Sequence, residues 1–398
     1  MKQIIDSMLQ TDLYKLTMQQ AVFHQYFNAH GRYQFVCRNK GVKFTDAMVS
    51  EIRFQLERMK TLSLKEEEKA FLRGMKFFKE DYLDWLEDFR FKPRELFVSN
   101  EDGELEIEAE GRWVSAILWE VPLLSIVNEV YFKHTTDFVK LRQTGLERLN
   151  AKIEMIQEVN DEVGNNFIVA EFGTRRRYSK EWQEEVTREL AKAGAIVGTS
   201  NVRLAKILGI KPIGTMAHEF LCGHLGLVDN IAEAQKRALH VWLQEYDAHN
   251  LGIALSDSFT SDAFFRDFGV ALSNEFDGVR HDSGSAIIFG EKTIDHYQKM
   301  GIDPKTKTIV FSDGLTVPDA IDIYNHFKDR VQTSFGIGTA ITNDLGPTPL
   351  NIVMKLVGMR RTKDAPEVPI IKLSDVPSKA IGNQNMIQSI KSVYDIVA

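Results

Sequence analysis

Seven short apolar runs, each followed by a stretch of helical pattern, constrain this chain more than any other feature. They are residues 167–172, 195–198, 210–214, 252–256, 276–280, 308–312 and 333–337. Most are hydrophobic on both faces and close on Gly, Ser or Asp. A strand that is apolar on both faces belongs to a parallel sheet, whose crossovers are helices. Seven units in series favour a barrel, with an open doubly wound sheet as the main rival. Residues 121–365 therefore read as a TIM-like α/β barrel.

The first 120 residues carry a different pattern. Leu13, Leu16, Phe23 and Phe27 recur at roughly helical spacing after a Thr11 or Asp12 cap. Tyr33 and Phe35 alternate with polar neighbours in a short strand. Ser63-Leu64-Lys65-Glu66 reads as a capping box. Residues 96–109 read as strands around a turn at Asn100-Glu101-Asp102-Gly103. This is a separate α+β domain, residues 1–120. A C-terminal tail, residues 366–398 with a strand at Ile370-Ile371-Lys372-Leu373, is expected to pack back on it, because chain ends often lie close together.

Charge and composition exclude some partners. The formal net charge is −7, which argues against non-specific nucleic-acid binding and against an anionic membrane surface. No run reaches the ~18 apolar residues of a spanning helix. Residues 113–127 come nearest, but they include Glu120 and Pro122. Cys37 and Cys222 are the only cysteines. Together with an N-terminus lacking an apolar leader, they predict a reducing, cytoplasmic setting without disulfides.

Polar tips follow several of the strands, where a barrel places ligand groups. Arg280 and Asp282 are two apart in Arg280-His281-Asp282-Ser283-Gly284, so in a strand they share a face. Arginine forks onto phosphate, and aspartate binds Mg²⁺ or ribose hydroxyls; a structural ion pair is the plainer alternative. Among Arg175, Arg176 and Arg177, Arg175 lies nearest its strand and is the functional candidate. His218 suits a general base, metal ligand or nucleophile, and equally a core histidine. Zinc on His218, Cys222 and His224 fits poorly, since the protease spacing would need histidine at position 222. Gly336 and Gly338 could cradle a phosphate, but Ile341 stands where a dinucleotide fingerprint needs its third glycine. Tyr14 could stack on a flat ring.

Taken in order, these motifs resemble the nicotinate phosphoribosyltransferase family over essentially the whole chain. The resemblance rests on Thr11-Asp12-Leu13-Tyr14-Lys15, Glu171-Phe172-Gly173-Thr174-Arg175-Arg176, Gly198-Thr199-Ser200-Asn201 and Gly214-Thr215-Met216-Ala217-His218-Glu219. It continues through Ser256-Asp257-Ser258, Val279-Arg280-His281-Asp282-Ser283-Gly284, Ser312-Asp313-Gly314 and Phe335-Gly336-Ile337-Gly338-Thr339. It implies an irregular barrel joined to an α+β domain. It also implies an ATP-coupled, ligase-type reaction in NAD biosynthesis, in which nicotinate and 5-phosphoribosyl-1-pyrophosphate give nicotinate mononucleotide and pyrophosphate.

The resemblance assigns roles as well. His218 would carry a phosphoryl group from ATP, and Asp257 and Asp282 would orient it, hold Mg²⁺ or bind ribose. Arg280 would clamp a phosphate. Ser312, Asp313, Gly314, Gly336 and Gly338 would hold the ribose 5-phosphate. Phe172 and Tyr14 would sandwich the pyridine ring, with the tyrosine supplied by a neighbouring subunit and a homodimer required. Neutral Ser200 beside Arg175 favours nicotinate, where nicotinamide-using relatives place an acid. The rivals are a nicotinamide or quinolinate transferase, a non-catalytic nucleotide sensor and a divalent-metal hydrolase.

Overall fold

The structure is a computed structural model that describes residues 2–246, 248–376, 380 and 382–396. Its strands, numbered along the chain, are β1 (His30–Cys37), β2 (Leu96–Glu101), β3 (Glu104–Arg112), β4 (Ile168–Glu171), β5 (Gly198–Thr199) and β6 (Lys211–Pro212). They continue as β7 (Ile253–Leu255), β8 (Gly278–His281), β9 (Thr308–Phe311), β10 (Gln332–Ile337), β11 (Ile352–Arg360) and β12 (Val368–Pro369).

Strands β4 to β10 form one sheet in the order β6-β5-β4-β10-β9-β8-β7, with every pairing parallel. Read as a ring this is chain order, with β10 returning to β4. Among the described residues, a single seam, between β6 and β7, carries no ladder. There the Thr215 hydroxyl donates to the Ile253 carbonyl at 2.8 Å. The barrel is irregular because β5 and β6 are two residues each. Pro212 brings no donor to its ladder. Strand interiors fill the core, with Val169, Val279, Ile309, Phe311, Phe335 and Ile337 all at 0% exposure. Phe311 stacks on Phe327 and on Phe335, each at 5.8 Å between centroids. Burying each such side chain contributes roughly 1.5–3 kcal/mol.

The second sheet is antiparallel, in the order β12-β11-β1-β3-β2. Its hairpin turns at Asp102 and Gly103, both with positive φ (50° and 81°), as a tight two-residue turn requires. β11 comes from a stretch read from sequence as barrel. It pairs with β1 along all eight residues of that strand. The expected Ser63–Glu66 capping box does not form, and the helix is capped two residues further on. Glu68 accepts from the Lys65 amide at 3.0 Å, and Ser63 lies outside the helix Glu66–Gly74.

The helix Leu13–Gln25 joins the two parts. Its first ten residues are all buried. The Leu13 amide donates to the Ser200 carbonyl at 2.8 Å, and the Thr17 hydroxyl to the Thr215 carbonyl at 2.7 Å. These bonds wedge the helix into the barrel mouth. The stretch Trp113–Thr135 is long and apolar enough to cross a membrane, yet 94% of its most apolar window is buried inside the fold. The tail divides. β12 joins the antiparallel sheet, while Leu373 donates to Ser258 at 3.0 Å and Tyr394 to Asp267 at 2.7 Å, both on the barrel. Residues 377–379, 381, 397 and 398 of the tail lie outside the described residues.

Candidate active site

Every residue given a site role by the resemblance, except Asp257, lines one cavity of about 250 Å³ at the carboxyl ends of the barrel strands. The segment after β4 brings Phe172 and Arg175. β8 brings Arg280 and, just past its end, Asp282. The turn after β9 brings Ser312, Asp313 and Gly314, and β10 ends in Gly336 and Gly338. Strand alternation does the aiming on β8. Arg280 and Asp282 face the cavity, whereas His281 between them packs in the core against Phe289 and Phe311 at 5.1 and 5.8 Å.

Asp257 sits one layer behind His218. Its Oδ1 meets His218 Nε2 at 2.7 Å. Its Oδ2 accepts from the Ser283 hydroxyl at 2.6 Å and lies 2.9 Å from Lys372 Nζ. Asp282 Oδ2 is 3.6 Å from the same His218 nitrogen, and Asp282 Oδ1 accepts from Ser312 at 3.0 Å. Burial opposes the Asp257 charge, but His218, Lys372 and Ser283 outweigh it and hold the carboxyl well below the usual carboxylate range. Burial, then the Lys372 ammonium, pushes the imidazole below its ordinary 6.5. The group is therefore a neutral histidine on an ionised aspartate. Nε2–H donates to Asp257, which leaves the lone pair on Nδ1. Among the described residues, no hydrogen bond reaches Nδ1.

His218, Asp257 and Asp282 are also one group within metal-ligating reach, their donor atoms within 4.8 Å of one another. The zinc alternative has no such support. His224 is fully buried, its Nδ1 bonded to the Phe220 carbonyl at 2.6 Å and its pKa pushed down to about 4 by burial.

Two aromatic residues also wall the cavity. Phe172 and Tyr14 both line it. The Phe172 ring lies so close to β10 that a Cβ on Gly336 would sit 2.4 Å from it. Gly336 thus makes room for the ring, beyond any phosphate role. Tyr14 comes from the same chain, carried in by the wedged helix. Arg175 stands 5.9 Å over the Tyr14 ring, and its Nη1 donates to Glu120 at 2.9 Å. Ser200 donates to Asp12 Oδ1 at 2.7 Å. Asp12 does not cap its helix through its side chain.

The three arginines separate. Arg175 and Arg176 line the cavity, and Arg177 turns inward at 1% exposure. A second cavity of about 210 Å³ lies on the far side of His218 and Asp282, walled by Arg38, Arg176, Lys355 and Lys372. Burial, with Arg38 and Lys372, pushes Lys355 down to about 7. A cavity walled by four basic side chains suits a polyanion. Sequence reading missed Asp12, Arg38, Arg176, Lys355 and Lys372. Only Arg176, beside Arg175, carried a local signal.

A neutral histidine on an aspartate, flanked by arginines and polar strand-end turns at a barrel mouth, defines an enzyme that handles a phosphorylated small molecule. Comparison with known proteins narrows the class. Residues 167–398 match the nicotinate phosphoribosyltransferase family model, and residues 9–128 match the model of that family's N-terminal domain. A nicotinate phosphoribosyltransferase of Escherichia coli O9:H4 is 42% identical over 396 residues, 99% of this chain and 96% of the relative. The crystal structure of a nicotinate phosphoribosyltransferase from Porphyromonas gingivalis superposes with a TM-score of 0.92 at 37% identity, covering 99% of this chain and 100% of that one. The enzyme of the same name from Vibrio cholerae also gives 0.92, at 35% identity over 100% and 95% of the two chains. The chain belongs to the nicotinate phosphoribosyltransferase family.

Proposed function

We propose that this chain joins nicotinate to 5-phosphoribosyl-1-pyrophosphate, releasing pyrophosphate and forming nicotinate mononucleotide, with ATP hydrolysed through a phosphohistidine at His218. The observation that carries the proposal is the 2.7 Å bond from His218 Nε2 to an Asp257 that is 1% exposed. It fixes one tautomer and leaves Nδ1 as the nucleophile. In the priming step Nδ1 bonds to the γ-phosphorus of ATP and the bond to the ADP oxygen breaks. The ring becomes cationic, and the Asp257 carboxylate offsets that charge. In the transfer step the pyridine nitrogen bonds to the anomeric carbon while the bond to the pyrophosphate oxygen breaks. Water later releases the phosphoryl group from His218.

The remaining residues bind and orient. Arg280, anchored through Nη1 to the Met216 carbonyl at 3.0 Å, clamps a phosphate. The turns at Ser312-Asp313-Gly314 and Gly336-Ile337-Gly338 hold the ribose 5-phosphate. The cations of the second cavity receive the polyphosphate. Tyr14 and Phe172 hold the ring, with Ser200 and Arg175 at its carboxylate.

Mg²⁺, when bound, neutralises polyphosphate oxygens. Asp282 is the better holder for it. Both Asp257 oxygens already accept from His218, Ser283 and Lys372, whereas the Asp282 side chain is 28% exposed toward the cavity. The ring pair is complete within one chain, so this reading requires no homodimer. Two free cysteines fit a reducing, cytoplasmic setting.

The test is an incubation of purified protein with nicotinate, 5-phosphoribosyl-1-pyrophosphate and Mg²⁺, with and without ATP, with the products identified. The expected result is nicotinate mononucleotide and pyrophosphate, in greater yield with ATP. Quinolinate consumed in place of nicotinate, or ligand binding with no pyrophosphate released, would contradict it.

A further inference from the structure

The hydrogen bonds at the ring end of the cavity do not suit a carboxylate as they stand. Asp12 lines the cavity at 2% exposure and accepts from Ser200 Oγ at 2.7 Å. A serine hydroxyl has one proton to give. While Asp12 is ionised it takes that proton, and Ser200 turns only lone pairs to the ligand. Such a wall accepts from an amide and repels a carboxylate.

Protonating Asp12 reverses the pattern. Its O–H then donates to Ser200, and the Ser200 proton is freed to face the ligand. The surroundings lean that way. Burial pushes the Asp12 carboxyl above its ordinary value against the pull of Arg175, Ser200 and Thr174. The charged and titratable groups facing it are Arg175, which favours the ionised form, and Glu120 and Glu171, which oppose it, with Tyr14 neutral. A ligand carboxylate arriving one hydroxyl away adds a further like charge in a buried place, and two such charges resist ionising together.

We propose that Asp12 sets the choice of base through a proton. Nicotinate binds with uptake of one proton from solvent onto Asp12, relayed by the Ser200 hydroxyl, whereas nicotinamide binds the ionised form. The proposal rests on nicotinate being the substrate. Asp12 is a specificity residue that acts through Ser200 and takes no part in bond making at the sugar.

The experiment is calorimetric binding of nicotinate and of nicotinamide to the full chain, with pyrophosphate present to fill the anion cavity, from mildly acidic to mildly alkaline pH. Taking the ratio of the two affinities cancels titrations common to both ligands, His218 included. The ratio of nicotinate to nicotinamide affinity should fall ~tenfold per pH unit once Asp12 is ionised in the free protein. Buffers of different ionisation enthalpy should show about one proton taken up with nicotinate and none with nicotinamide. Asp12→Asn, which cannot titrate, and Ser200→Ala, which has no hydroxyl, should both flatten the ratio. Ser200→Thr should restore its slope. Circular dichroism and melting curves confirm that each variant is folded. A pH-independent ratio in the unaltered protein, or an unchanged slope in folded Asp12→Asn, overturns the relay. Binding of neither base at any pH would remove the substrate assignment, and the relay with it.

Discussion

Asp257 is 1% exposed and still carries a full charge, because three groups converge on its two oxygens. Breaking that arrangement should harm catalysis more than folding. Asp257→Asn keeps the shape but no longer demands the Nε2–H tautomer, and turnover should fall by ~10²–10⁴ in steady-state assays with little change in KM for nicotinate. The same residues fix the acid limb of the pH profile. Burial and Lys372 hold the His218 pKa below 6.5, and the neutral ring is the nucleophile. Activity should therefore persist down to the depressed pKa and be lost only as pH falls through it. Removing the cation with Lys372→Met takes away a push on His218, so the limb should move to higher pH. A limb that stays in place would show that Lys372 does not act on the imidazole.

At the scale of elements, glycine contacts show how tightly β8 is set. A Cβ on Gly278 would lie 1.9 Å from the Thr308 carbonyl oxygen. Gly278→Ala should thus force β8 from β9 and cost about 3 kcal/mol or more, read as a lower Tm. Activity should fall as well, since Arg280 and Asp282 ride on the same strand. The barrel strands were legible because each is apolar on both faces and closed by a polar turn. β5 was read too long, for Ala195, Ile196 and Val197 are apolar but the ladder begins only at Gly198. β11 shows a period-two burial pattern in Ile352, Met354 and Leu356. Its partner β1 lies more than three hundred residues earlier, and no local signal assigns it to that sheet. Asp12 and Lys372 escaped for the same reason. The first looks like a helix cap and the second like a strand residue, until folding brings Ser200 and Asp257 to them.

For the whole molecule, the wedged helix supplies an aromatic wall of the cavity from the same chain. It carries Tyr14 to the cavity that Phe172 also lines. The tail closes the other side. Asp375 accepts from the Ser261 amide at 2.6 Å, and the Asp375 amide donates to Ser283 at 3.2 Å, which keeps Lys372 against Asp257. Specific activity should not change on dilution through any dimer dissociation seen by analytical ultracentrifugation. Activity that disappears as a dimer separates would mean that the site is shared after all.

The most direct trial of the central claim is to expose the protein to ATP labelled in the γ-phosphate, quench in alkali, and map the label. Acid-labile phosphate is expected on His218, at Nδ1, and none in folded His218→Ala. Label that persists in that variant, or that maps to another residue, would contradict it.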